Sequence, residues 1–308
     1  MMILWDGSRH DWLEGRGPVM CLMGAIDDAT GELLPGAHFV EQEGAASYLR
    51  ALRAIVLARG IPHAAYGDRH GALQRNDDHW TIEEELRGEQ DLTHVGYAMR
   101  NLGITAIAAL SPQAKGRVER LWKTLQDRLV SELRLAKAQT LEEANRVLEA
   151  YIPDHNRRFA IPPQDAVPAW RPVGPGVDVD RLCSFRYEAT VGNDNAVRLA
   201  GRVLDIPPGP GRRGYAKARA EVRQLLDGSW RVYVKDGLVA QLPADPLKEL
   251  GPLKRHKRSA AEKAFGKAVR QLKAEPVLPR AKPRARHSLP PPTFNTFGQL
   301  TRRRKQAA

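Results

Sequence analysis

Five prolines, Pro162, Pro163, Pro168, Pro172 and Pro175, crowd one short stretch of this 308-residue chain. No regular helix or central strand crosses such a stretch, because each proline removes a backbone donor and its ring clashes with the preceding turn. The patterns on its two sides differ in kind. Before it, runs with apolar residues at three- and four-residue steps alternate with short apolar or β-branched runs. Beyond it every run is short and closes on Gly, Asn or Asp turns, as at Gly192-Asn193-Asp194-Asn195, Asp227-Gly228 and Lys235-Asp236-Gly237. The first pattern belongs to an α/β core whose sheet is mixed, its parallel part covered by helices. The second belongs to a small all-β barrel or roll. The length accommodates both, so we expect a core over residues 1–172, a Pro-rich linker over 173–183, a small β-barrel over 184–245 and a tail over 246–308.

Within the core, Met2–Asp6, Val19–Ile26 and Leu33–Glu41 read as an antiparallel meander, with a polar loop at His10–Pro18 and a tight turn at Asp27–Glu32. A helix over Gly44–Arg59, closed by Gly60 and Pro62, leads to a fourth strand, His63–Asp68. Residues 76–79 read as a mobile loop and Thr81–Leu102 as helical. A fifth strand, Ile104–Leu110, is broken by Ser111-Pro112, after which Ser111 or Gln113 opens a helix to about Arg134. Its buried stripe is Val118, Leu121, Trp122, Leu125, Leu129 and Leu133. Thr140 and Glu143 form a capping box for a last core helix through Tyr151, which Pro153 is expected to weaken or end.

Charge is unevenly spread. The chain carries a net +12, yet Pro246–Ala308 holds 17 Lys and Arg against 3 acids, leaving the first 245 residues at −2. A basic tail of this kind suits polyanion binding, with a disordered solubilising appendage as the alternative. No apolar run is long enough to cross a bilayer and no leader is evident, so no membrane partner is expected. The two cysteines, Cys21 and Cys183, lack CxxC spacing and clustered histidines, which argues against a disulfide framework or a structural zinc site and for a reducing cytoplasm.

Three carboxylates stand out by position. Asp6 and Asp68 each end an expected strand, and Glu119 lies on the helix that follows another. If the first and fourth strands are neighbours, the two aspartates converge at one sheet edge and the helix brings Glu119 over them. Three uncompensated carboxylates repel one another unless a cation sits among them, and oxygen donors suit Mg²⁺ or Mn²⁺. Two such ions serve in-line phosphoryl transfer, with Asp6 shared between them. Lys115, Glu119 and Lys123 sit four apart on one helix face, so the lysines are placed to hold a phosphodiester backbone. An i,i+4 surface ion pair is the plainer account of that spacing. A strand-end Asp is often only a turn former, the expected role of Asp27 and Asp28, and Glu83, Glu84 and Glu85 are expected on solvated faces. His10 and His70 are either substrate contacts or surface residues.

Trp5-Asp6, Ile26-Asp27-Asp28-Ala29-Thr30-Gly31, Tyr66-x-Asp68 and above all Ser111-Pro112-Gln113-Ala114-Lys115-Gly116-Arg117-Val118-Glu119-Arg120 resemble the integrase catalytic core of DDE transposases, those of ISNCY-type bacterial insertion sequences most. Tyr151, Asn156, Arg157-Arg158 and Pro162-Pro163 match the end of that core. The resemblance covers about residues 1–172, and Ser184–Ala244 is similar to the small β-barrel that follows the core in Mu-like transposases. It implies an RNase H-like fold and a catalytic, metal-binding triad at Asp6, Asp68 and Glu119 with two Mg²⁺ (or Mn²⁺). It further implies DNA contacts from Lys115, Arg117, Arg120, Lys123, Arg69 and His70, cleavage at transposon ends and strand transfer into target DNA, and at least a dimer on DNA. Asp68 and Glu119 are separated by more residues than in retroviral integrases, a gap that the helical insertion fills. Helix-turn-helix domains precede the first Asp in such transposases; here nothing stands before Met1, so the chain is expected to lack them. A truncated regulator that binds DNA or partner chains without catalysis is the alternative reading, and a plain RNase H-type nuclease a lesser one.

Overall fold

In the computed structural model, residues 1–75, 80–109, 116–165, 167 and 169–250 are described. The loop expected at 76–79, the segment Ser111–Lys115 and the basic tail from 251 onward lie outside them. Of the described residues, 1–75, 80 and those from 89 onward form one compact unit, and Thr81–Gly88 belongs to a second.

The core is a five-stranded mixed sheet of β1 (Met2–His10), β2 (Met20–Asp27), β3 (His38–Val40), β4 (Ala64–Gly67) and β5 (Thr105–Ala108), ordered β3-β2-β1-β4-β5. The pairs β1–β2 and β2–β3 are antiparallel, β1–β4 and β4–β5 parallel. This is the RNase H-like arrangement that the resemblance implies. Every residue of β2 is buried, as its unbroken apolar run requires of a strand covered on both faces. The third strand is shorter than expected, only His38–Val40, with a single bridge between Ile26 and Leu33 ahead of it. The loop after β1 is less polar in effect than in composition, since Trp12 and Leu13 are fully buried.

Alternation along β1 divides the core in two. Ile3 and Trp5 face α1 (Ala45–Arg59) and α3 (His94–Asn101), while Leu4 faces α4 (Gly116–Leu135) and α5 (Leu141–Phe159). The helix α2 (Ile82–Arg87), in the second unit, is closed at its N-terminus by the Thr81–Glu84 capping box. Glu84 and Glu85 are buried rather than solvated, contrary to their expected setting.

Pro153 does not end α5, which continues to Phe159. One lost donor is outweighed by two side-chain clamps set about three turns apart on one helix face. Asn145 Oδ1 accepts from the Phe39 N–H at 2.7 Å while its Nδ2 donates to the Phe39 carbonyl at 3.2 Å. Asn156 does the same to Leu33, at 2.9 Å and 2.9 Å. These bonds satisfy backbone groups along the outer side of the sheet's β3 edge.

Beyond the prolines, α6 (Val179–Leu182) precedes six strands: β6 (Phe185–Thr190), β7 (Ala196–Leu199), β8 (Arg202–Asp205), β9 (Arg219–Gln224), β10 (Trp230–Val234) and β11 (Gly237–Leu242). They pair as a four-stranded antiparallel sheet, β11-β10-β9-β6, and a β7–β8 hairpin, and both groups bury side chains in one core around Trp230, Val222, Val197 and Leu204. Short strands that enclose a common core make a small barrel-like roll. The proline-rich stretch is pinned to the mixed sheet's unit: the Arg171 backbone pairs with Ile61, and its guanidinium donates to the carbonyls of Pro62, Leu102 and Gly103. Val179, Cys183 and Phe185 extend the α1/α3 core cluster.

His94 closes that junction. Its ring stands edge-on to Phe185 and Tyr187, Nδ1 accepts from the Arg186 N–H at 3.0 Å, and Nε2 faces Glu249 Oε1 at 3.5 Å. Burial, aided by Arg223 and Arg186, pushes its pKa down to about 4. Burial also raises the Glu249 carboxyl.

Two outcomes follow for stability. Asn156→Ala leaves the Leu33 N–H and carbonyl unpaired in the interior and is expected to cost about 2–3 kcal/mol in urea unfolding. A loss below about 0.5 kcal/mol would mean that water replaces the clamp. Because His94 is harder to protonate folded than unfolded, its contribution is complete above about pH 6.5 and falls away toward pH 4, by up to about 3 kcal/mol. His94→Gln should flatten that part of the stability–pH curve, and an unchanged slope would assign it to other groups.

Candidate active site

The parallel register of β1 and β4 pairs Met2 with Ala64, Ile3 with Ala65 and Leu4 with Tyr66. Asp6 and Asp68 each stand two residues beyond the last of these pairs, Asp68 being the first residue past β4. Both aspartates follow Leu4 and Tyr66 onto the face covered by α4, because side chains two apart share a face. On the reverse face the Trp5 indole packs against Gly67, where an added Cβ would lie 2.7 Å from Nε1. Larger residues at position 67 would push the two strands out of this alignment.

Helix α4 docks along β1 through two hydrogen bonds. Trp122 Nε1 donates to Asp6 Oδ2 at 3.3 Å and Gln126 Nε2 donates to Ser8 Oγ at 3.1 Å. The indole has room because β2 carries Gly24 opposite Asp6; a Cβ there would meet Trp122 at 3.2 Å. Glu119 lies one turn before Trp122, exposed. Asp68 is held by the backbone, its Oδ1 accepting from the His70 N–H at 2.9 Å, while His70 Nδ1 accepts from the Ala72 N–H.

A fourth carboxylate, Glu43, stands beside this pair. It rests against Gly7, accepts from the Tyr48 hydroxyl, and has Oε1 4.0 Å from His70 Nδ1. Burial and then the negative charges of Glu43, Asp68 and Asp6 raise the Tyr48 pKa well above its ordinary value. Burial, Glu43 and Asp6 push the Cys21 thiol up to about 11, so it stays protonated and unreactive. Carboxylate oxygens of this kind suit a hard divalent cation. Among the described residues no three His, Cys, Asp or Glu side chains are grouped closely enough to hold a metal ion. Asp6 and Asp68 both act electrostatically on Tyr48, and Glu119 is carried on the helix docked over Asp6 without closing a three-ligand set.

The residues expected to touch DNA are distributed around this edge. Arg120 and Lys123 are exposed on α4, with Arg120 Nε donating to the Gly116 carbonyl. Glu119 and Lys123 form no ion pair with each other. Arg69 is exposed and His70 half-buried in the turn after Asp68. Arg117 falls in the first turn of α4, and Lys115 lies outside the described residues. Glu43 and the second role of Trp122 were not foreseen from the sequence. Trp122 reads there only as part of a buried stripe, and Glu43 as one more acid before a helix.

No family model matches the chain. It is 35% identical over 249 residues to y4bF of Sinorhizobium fredii, named as a transposase, a match spanning 75% of this chain and 52% of the relative. It is likewise 35% identical over 240 residues to the transposase for insertion sequence IS1202 of Streptococcus pneumoniae, spanning 76% and 49%. The chain therefore spans about half the length of the curated relatives it matches. Among solved structures, it is similar to the catalytic core domain of BIV integrase, with 15% identity over 51% of this chain and 84% of that one, at a TM-score of 0.37. The simian T-cell lymphotropic virus intasome, in complex with PP2A regulatory subunit B56 gamma, aligns with 82% of this chain and 78% of that one, with 14% identity and a TM-score of 0.38.

Replacing Trp122 by Phe removes the donor to Asp6 together with the ring edge that sits over Gly24. The expected cost is about 1–2 kcal/mol of stability by urea unfolding. Wild-type stability in that variant would show that neither contact seats α4.

Proposed function

We propose that this chain, which belongs with the bacterial insertion-sequence transposases over the three quarters of its length that they match, is a DDE-type polynucleotidyl transferase. In this reading Asp6, Asp68 and Glu119 are the catalytic carboxylates, residues 1–172 the catalytic core and 184–245 a DNA-tracking module joined to it by 173–183. The basic tail, 246–308, adds sequence-independent attraction to DNA. The observation that supports the proposal is that Asp6 and Asp68 each stand two residues beyond the paired Leu4 and Tyr66, with the Glu119 helix hydrogen-bonded to Asp6.

The three carboxylates would hold two Mg²⁺ or Mn²⁺ ions. Bound there, such ions lower the pKa of an attacking hydroxyl and stabilise the departing oxygen. The chain's own part is orientation. Trp122 holds one Asp6 oxygen and the His70 N–H one Asp68 oxygen, which orients each carboxylate. Lys115, Arg117, Arg120, Lys123, Arg69 and His70 are proposed to grip the phosphodiester backbone. The first reaction adds water at a phosphorus of the transposon end, breaks the P–O bond to the 3′ oxygen and leaves a 3′-hydroxyl. The second sets that hydroxyl against a target phosphodiester, so each bond broken is replaced by one of the same kind. At least two copies act together, since two ends must be joined, and the setting is the cytoplasm.

Strand transfer on a pre-nicked duplex, with Mg²⁺ or Mn²⁺ against EDTA, tests the proposal. Joining should require metal and disappear in Glu119→Gln. Asp68→Asn should abolish it with DNA affinity unchanged or slightly tightened, because one negative charge is lost. Equal loss of binding and joining would make Asp68 structural, and DNA binding without any joining would favour a regulator over a catalyst.

A further inference from the structure

The four-stranded sheet of the roll has an outer face whose charges fall into rows. Tyr187 and Ala189 of β6, Ala220 and Val222 of β9 and Val232 of β10 turn into the core around Trp230, so their neighbours point the other way. The register then sets Arg186, Arg223 and Arg231 side by side, and next to them Glu188, Glu221 and Tyr233. Both rows are compensated. Arg186 and Arg223 each donate to Glu221 at 3.0 Å, and Arg186 also donates to Glu188. Arg231 pairs with Asp178, while Arg181 of α6 lies over the Tyr233 ring and donates to Glu221 and Asp236.

The third row breaks the pattern. Thr190 pairs with Arg219 across the strands, and Arg219 and Lys235 each stand one residue beyond Ala220 and Val234, the last pair of β9 and β10. All three are exposed and line one surface groove of about 360 Å³. Arg219 and Lys235 form no ion pair among the described residues. The acids that border the same groove, Glu188, Glu221 and Asp236, are already engaged by Arg186, Arg223 and Arg181. Two cations at one groove repel each other, and an anion between them reverses the sign of that interaction.

We propose that Arg219 and Lys235, with Thr190 beside them, grip the phosphate backbone of DNA, each cation meeting one phosphate. The inference rests on the transposase reading for the identity of the polyanion and locates a contact on one sheet face of the roll. Guanidinium, ammonium and hydroxyl groups all donate to phosphate oxygens, which are acceptors only. The groove suits a backbone rather than a base, because its ring, Tyr233, is 6% exposed and covered by Arg181. Glu188 and Glu221, one row in, repel phosphate and hold the strand at the outer row.

Fluorescence anisotropy of the full chain with a labelled mixed-sequence duplex, in EDTA and over a series of salt concentrations, tests the proposal. Arg219→Gln and Lys235→Asn should each reduce the slope of log affinity against log salt by about 0.9, and together by about twice that. Asn suits position 235, where φ is 48°. Lys137→Asn, at an exposed lysine between α4 and α5 with φ 54°, is the matched control and should leave the slope unchanged. Thermal melting of all variants should match the wild type. A wild-type slope in the double variant, an equal fall in the control, or a slope lost together with the fold would overturn the proposal. Strand transfer with Mg²⁺ is measured in parallel. Joining by the wild type with an unmoved slope in the double variant removes this contact alone, and a reduced slope without joining removes the transposase reading alone.

Discussion

The parallel pairing of β1 with β4 is the constraint on which the rest of the molecule depends. It is a non-local contact, formed only after the meander and α1 have been laid down between its two strands. Once made, it decides two things together. It sets how far along β1 the end of β4 reaches, and through the two-residue alternation it sets which face both aspartates share. A slip of one residue would carry Asp6 to the α1 face, into the apolar cluster of Ile3, Trp5 and Leu52. Trp5 against Gly67 on one side and Trp122 against Gly24 on the other guard that register with bulky rings seated on bare backbone.

The negative field of the site is built into the same region. Glu43 lies beside Gly7 and is tied to Tyr48, so the acid concentration near Asp6 is greater than the triad alone would make it. Elsewhere the chain compensates its buried charges. Burial opposes ionisation of Glu221, yet Arg223, Arg181 and Arg186 bring its pKa down to about 2. A carboxylate ringed by guanidinium groups in this way is held as a structural ion-pair network.

The mixed sheet with its helices and the run of short strands beyond the prolines were legible because each depends on local pattern. Period-two and period-3.6 spacing mark the elements, and a strand-end acid followed by a turn marks a sheet edge. What local pattern does not carry is long-range side-chain chemistry. Pro153 reads as a stop, and only the distant backbones of Leu33 and Phe39, grasped by Asn156 and Asn145, keep α5 going past it. His155 reads as one polar residue of an amphipathic helix, and its burial depends on the turn at Asp28–Gly31 folding over from a different part of the chain. Glu84 and Glu85 read as solvated and are buried for reasons that periodicity does not encode.

The two asparagines have a geometric consequence for how this fold can vary. They act as fixed pegs on a rigid rod, and the chain between Leu33 and Phe39 is a belt with a hole for each peg. A helix does not stretch, so the belt must keep its length. Adding or removing a residue there would unhook one end. Length variation among chains with this clamp should therefore be absent from this belt.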